Sequence, residues 1–79
     1  LNKEEIKEAQ ELINSGDAWH LEGSVGRYCM SLIREGYCCL GLKGHRDAYG
    51  NYVPSRFEVK CGTKGSVAFV KKMTLQREN

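Results

Sequence analysis

The stretch Gly44-His45-Arg46-Asp47-Ala48-Tyr49-Gly50-Asn51-Tyr52-Val53-Pro54-Ser55-Arg56 decides how this chain is read. Gly50-Asn51, flanked by Tyr49 and Tyr52, fits a two-residue hairpin turn with Gly50 at the first central position of a type II′ turn. Pro54 has no N–H to give to a ladder, so it ends the pairing or marks an edge. An antiparallel hairpin therefore belongs in the middle of the chain. Both sides of that hairpin read as scaffold for it.

Working outward toward the N-terminus, the clearest element is a first helix. Asn2 can cap it, Glu5 stands at the N3 position of a capping box, and Leu1 with Ile6 makes the accompanying staple. Glu4 and Glu5 suit the positive end of the helix dipole. Ile6, Ala9, Leu12 and Ile13 mark one face at helical spacing, and Gly16 closes the helix. From Asp17 to Glu22, Trp19 and Leu21 alternate with Ala18 and His20, which predicts a short strand or an extended connector. Trp19 is the largest apolar group and reads as a core anchor, with an exposed place in a binding surface as its alternative. Ser24 reads as the N-cap of a second helix whose buried face is Val25, Cys29, Leu32 and Ile33. Gly36 ends it, with Tyr37 placed to pack back on Leu32.

Tyr37-Cys38-Cys39-Leu40-Gly41-Leu42 is a short apolar run and reads as an interior strand. Beyond the hairpin, Phe57, Val59 and Cys61 alternate with Arg56, Glu58 and Lys60, which predicts a half-buried strand. Gly62-Thr63-Lys64-Gly65 is a loop, and Ser66 caps a third helix with Val67, Val70 and Met73 on its apolar side, fraying from about Thr74. The expected fold is α+β: a single small domain over residues 1–79, two to three helices packed on a short antiparallel sheet with a β-hairpin.

Size and composition agree with that reading. Seventy-nine residues make one domain with a modest core. An apolar content of 41% is enough for folding and argues against disorder. The net charge of +2 is too mild to announce nucleic acid by itself. The charge is unevenly placed, however: residues 1–16 carry two lysines against four glutamates, whereas Lys43, Arg46, Arg56, Lys60 and Lys64 face only Asp47 and Glu58. An acidic first helix and a basic second half can orient an anionic partner. No apolar run approaches the roughly 20 residues of a membrane span, and no signal-peptide pattern is present, so a cytoplasmic protein is expected.

The four cysteines, Cys29, Cys38, Cys39 and Cys61, read first as reduced, mostly buried thiols, then as two disulfides, and last as a zinc set with His45. Adjacent cysteines point apart and no C-x-x-C pair exists, so no metal and no cofactor is expected.

Three function classes compete for the central stretch. For an enzyme, His45 and Asp47 lie two apart on a strand and so share a side, as an acid–base pair requires. No nucleophile, metal set or cofactor loop accompanies them, and Asp47 is better explained by a pairing with Arg46 or Arg56, or by capping a turn. The chain is therefore read as not an enzyme. For nucleic acid or a nucleotide, the basic residues can follow phosphates while Tyr49, Tyr52 or Phe57 offers a stacking face. The Gly23-Ser24-Val25-Gly26-Arg27 turn has amides for an anion but lacks the spacing of a P-loop or dinucleotide motif. For a protein partner, a hairpin tip rich in Tyr and Arg has the composition of an interface hot spot. The candidate binding residues are His45, Arg46, Asp47, Tyr49, Asn51, Tyr52 and Arg56, with Arg27 and Lys64 as flanking contacts. Pairing of two copies through an open sheet edge is also compatible with so small a core.

Leu21-Glu22-Gly23-Ser24-Val25-Gly26-Arg27, Gly44-His45-Arg46-Asp47, Tyr49-Gly50-Asn51-Tyr52-Val53-Pro54-Ser55-Arg56 and Gly62-Thr63-Lys64-Gly65-Ser66 together resemble a set of small bacteriophage proteins to which no activity is attached. The resemblance runs from the first helix to the start of the third. It places a proline where Cys61 stands, so that cysteine reads as a local variation. It implies a protein made in an infected bacterial cytosol, where small accessory proteins bind and redirect host components or sequester nucleotide signals. No catalytic or binding residue carries over from it.

Overall fold

Local signals at the helix ends account for most of the regular structure. The computed structural model describes residues 1–78. Helix α1 spans Lys3–Ser15, with the Asn2 side chain accepting the Glu5 N–H at 2.8 Å and Gly16 in the left-handed conformation at its end. Helix α2 spans Gly23–Arg34. Gly36 and Tyr37 close it by donating to the carbonyls of Ile33 and Leu32 at 3.2 and 2.9 Å, the paired bonds of a Schellman motif. Strands β1 (His45–Arg46) and β2 (Tyr52–Val53) form an antiparallel hairpin in the register His45↔Val53 and Arg46↔Tyr52. Helix α3 spans Val67–Glu78, and the Ser66 hydroxyl accepts the Phe69 N–H at its start. Three helices and a two-stranded hairpin make a small α+β domain.

The core lies between α1, α2 and the segment that follows α2. Ala9 and Ile13 come from α1, Cys29, Leu32 and Ile33 from α2, and Cys38 and Leu40 from the segment, with Val53 contributed by the hairpin. Trp19 is only partly buried and packs at the margin of this cluster.

Several stretches differ from their sequence expectation. Asp17–Trp19 is a 3-10 turn instead of a strand or connector. Curling the chain there drives Ala18, 1% exposed, between the first two helices, which an extended segment cannot do. The second helix begins at Gly23 with Glu22 at the N-cap position and no side-chain cap, so Ser24 lies within its first turn.

Cys38, Cys39, Leu40 and Gly41 are buried, while Tyr37 is half-buried and Leu42 is exposed, and Tyr37–Leu42 is not a strand. Its backbone groups are taken by other partners: Cys39 exchanges two 3.0 Å bonds with the Gln10 carboxamide, and the Leu40 N–H donates to the Gly65 carbonyl at 2.9 Å. The Gln10 side chain stands in for a neighbouring strand. Residues 56–61 are not a strand either. Ser55-Arg56-Phe57-Glu58 closes on itself as a capping box, with the Glu58 carboxylate accepting the Ser55 N–H at 2.6 Å and the Ser55 hydroxyl accepting the Phe57 N–H at 3.2 Å. Phe57 is consequently 73% exposed instead of lying on a buried face.

On α3 the expected apolar side holds at Val70 and Met73, which are half-buried, but not at Val67. Val67 is exposed, while Phe69 and Met73 lean toward Gly36. The helix continues past Thr74, and Arg77 anchors its last turn by donating to the Gly36 carbonyl at 2.8 Å and lying 3.8 Å over the Tyr37 ring.

All four cysteines are free; Cys29, Cys38 and Cys39 are buried and Cys61 is exposed. Burial, followed by the neighbouring Cys29 and Cys39, pushes the Cys38 thiol up to about 11. Alkylation of the native protein with iodoacetamide at pH 8 is therefore expected to label Cys61 alone, and all four cysteines once denaturant is added. Peptide mass mapping reads this directly, and rapid native labelling of Cys38 would contradict the packing described.

Candidate functional site

The hairpin turn is built by one carboxylate. Asp47 Oδ1 accepts the N–H groups of both Tyr49 and Asn51 at 2.9 Å, and the Gly50 N–H donates to the Asp47 carbonyl at 3.1 Å. The turn therefore runs from Asp47 to Gly50, with Gly50 left-handed at its end (φ 84°), and not as a two-residue type II′ turn beginning at Gly50. The Arg46 guanidinium adds a 2.9 Å bond to the Gly50 carbonyl. The Asp47 carboxylate is thus spent on the turn and not on His45, whose Nδ1 lies 3.3 Å from the Arg46 carbonyl. Of the two readings of Asp47, the turn cap describes its hydrogen bonds.

The nine candidate residues divide into groups. His45 is half-buried, its ring 6.4 Å from that of Trp19 and 6.2 Å from that of His20. Arg46, Tyr49 and Asn51 stand at the exposed tip, with Tyr49 86% exposed. Tyr52 donates its hydroxyl to the Glu58 carboxylate across the mouth of the hairpin. Arg56 turns inward: its guanidinium donates to the Leu40 carbonyl at 2.8 Å and to Asn14 Oδ1 at 2.7 Å. Arg56 is a structural clamp, so the expectation that it shares an outward patch with the tip is corrected. Lys64 is exposed in the loop before α3 and does not line the groove described next.

The Tyr52–Glu58 bond is a pH-dependent contact. Bonding to Tyr52 and then to Ser55 holds the Glu58 carboxyl below its usual range, and bonding to Glu58 raises the Tyr52 phenol. A depressed carboxyl contributes stability above its unfolded pKa and loses it as pH falls through the folded value. A raised phenol contributes below its unfolded pKa and loses it as pH rises through the folded one. The urea midpoint of Tyr52→Phe is therefore expected below that of wild type through the neutral range, with the gap narrowing in acid and again in strong alkali. A gap that stays constant at all pH values would remove the bond from the account.

A groove of about 280 Å³ separates the hairpin tip from α2. Asp47, Ala48 and Tyr49 form one wall, and Arg27, Met30 and Arg34 form the other, with Trp19 and Leu21 beside them. The walls are fixed to each other in two places. The Ala48 N–H donates to the Trp19 carbonyl at 3.3 Å, which ties the tip to the 3-10 turn. Gly26 lets α2 approach that turn, since a Cβ there would stand 3.2 Å from the Ala18 carbonyl oxygen. Of the candidates, Arg27, Asp47 and Tyr49 meet at this groove, and Arg46 stands beside it on the tip.

Met30 and Arg34 belong to the groove but were not among the sequence candidates. Arg27, Met30 and Arg34 follow one another at helical spacing, a legible signal that the apolar face of α2 overshadows. Trp19 packs on the core at one side and lines the groove at the other.

Among the described residues no group of three or more His, Cys, Asp or Glu side chains is placed to hold a metal ion, and no helix is long and apolar enough to cross a membrane. No family model matches the chain, and neither curated proteins nor solved structures match it at a significant level.

Proposed function

We propose that this chain is a small phage-type accessory binding protein, not an enzyme, that engages a protein of the host through the hairpin tip and the facing side of α2. The observation that carries this reading is Tyr49. Its ring is 86% exposed on a turn that Asp47 holds rigid, so a large contact surface is presented with little conformational freedom left to lose on binding. Tyrosine and arginine side by side in such a position are the residues that carry most of the energy in protein interfaces.

The test is recovery of partners from bacterial lysate by wild type and by an Arg46→Ala/Tyr49→Ala double variant. Both side chains are exposed, so thermal stability is expected to change little. Loss of two hot-spot side chains at about 2 kcal/mol each or more is expected to remove the partner almost completely. Equal recovery by both folded proteins would defeat the proposal.

A second reading rests on the same basic groups. Arg27 and Arg34 line the groove with Trp19 and Tyr49, and Arg46 is exposed on the tip, an arrangement that also suits a nucleotide or single-stranded nucleic acid. That reading requires affinity to fall steeply as salt is raised.

A further inference from the structure

The groove between α2 and the hairpin tip has features that narrow what it can hold. Its apolar groups are Met30, the Trp19 ring and the exposed Leu21 and Tyr49. Its charged groups are Arg27 and Arg34 against Glu22 and Asp47, and neither guanidinium has a hydrogen-bond or ion-pair partner among the described residues. Seven positions apart on one helix, they are separated by roughly 10 Å along its axis. The Arg27 guanidinium is folded back over Gly23, toward the start of α2 and away from Arg34. The two arginines therefore stand about two turns apart along one wall of the groove.

We infer that the groove takes a short acidic peptide segment of the partner, an inference that rests on reading the chain as a protein-binding module. In this arrangement an aliphatic or aromatic side chain enters between Tyr49 and Met30 beside Trp19, and carboxylates on either side of it pair with Arg27 and Arg34. An extended chain advances about 3.3 Å per residue and turns every second side chain to the same face. Carboxylates four positions apart, about 13 Å, therefore flank one inward apolar side chain and come within reach of two long arginines rooted roughly 10 Å apart. Guanidinium and carboxylate match as forked, charge-assisted pairs, which gives register as well as attraction. A volume of about 280 Å³ suits one large side chain and not a whole cofactor. Glu22 and Asp47 also border the groove, but the Asp47 carboxylate already accepts two turn amides, which leaves Glu22 to disfavour an acidic residue near the start of α2.

Trp19 is the only tryptophan and reports the site directly. The probe is a blocked hexapeptide with aspartates at its second and sixth positions and phenylalanine at its fourth, titrated to millimolar concentration while Trp19 emission is followed. A saturable change is expected with wild type, at least tenfold weaker with the lysine version of the peptide. An Arg27→Glu/Arg34→Glu variant, confirmed as folded by circular dichroism, is expected to reverse that preference.

The inference is overturned if wild type binds both peptides alike or neither, if the charge-reversed variant keeps the aspartate preference, or if only an oligonucleotide or mononucleotide moves the Trp19 signal. The lysate experiment separates this failure from a broader one. A partner lost with the Arg46→Ala/Tyr49→Ala variant while the hexapeptide fails leaves protein binding standing and removes only the acidic segment.

Discussion

Gly65→Ala is expected to lower the melting temperature by about 10–25 °C. Two independent penalties combine at that position. Gly65 has φ +96°, a conformation that strains an L side chain by about 1–2 kcal/mol. Its added Cβ would also stand 2.6 Å from Leu40 Cδ1 and 2.8 Å from Leu40 Cγ. Leu40 is only 6% exposed and cannot swing outward, so the overlap must be relieved by moving the backbone, at about 1–3 kcal/mol. That movement pulls on the bond from the Leu40 N–H to the Gly65 carbonyl, which ties the segment after α2 to the loop before α3.

A domain of this length has a total stability on the order of 4–12 kcal/mol, so the loss is a large share of it. Gly62→Ala is the control. Gly62 is also left-handed, at φ +90°, but nothing lies within 4 Å of its added Cβ, so only the backbone strain remains. Thermal unfolding followed by circular dichroism compares the two. Equal shifts for Gly62→Ala and Gly65→Ala would mean that the Leu40 contact is not close-packed.

Arg56→Ala is expected to act on stability in the same way and not on binding. Its guanidinium donates to the Leu40 carbonyl and to Asn14 Oδ1, joining the buried segment to the last turns of α1. Removal deprives a buried carbonyl of a charged donor, and the loss is about 2–3 kcal/mol. The melting temperature should therefore fall by about 8–20 °C. Arg56→Lys keeps the charge, but its single ammonium cannot reproduce the planar fork that serves two acceptors, so it should recover only part of the loss. Under the alternative, in which Arg56 belongs to the binding patch, Arg56→Ala would weaken partner recovery and leave the melting temperature unchanged. Measuring both quantities on one variant decides between clamp and contact.

These two residues show where a linear reading is strong and where it ends. Asn2, Gly16, Gly36 and Ser66 act at helix ends through bonds to residues only a few positions away, so their roles are legible from spacing. The position of the hairpin is legible for the same reason, although Asp47 and not Gly50 begins its turn. The Ser55–Glu58 capping box was also present as a local pattern, but the alternation of Phe57, Val59 and Cys61 suggested a strand more strongly. Exposure of Tyr49 follows from its place on the turn.

The sequence by itself determined three helices, a hairpin between the second and third, and an acidic first helix set against a basic second half. Tertiary structure decided that Cys38, Cys39, Leu40 and Gly41 are buried with no strand beside them, that Arg56 faces inward, and that Arg27, Arg34 and Tyr49 border one groove. The physical reason is that alternation of apolar residues specifies which side of a segment is buried but not which groups take its backbone hydrogen bonds. Gln10, 29 positions from Cys39, and Arg56, 16 positions from Leu40, take them here, and pairings at that separation exist only once α1 and α2 have packed.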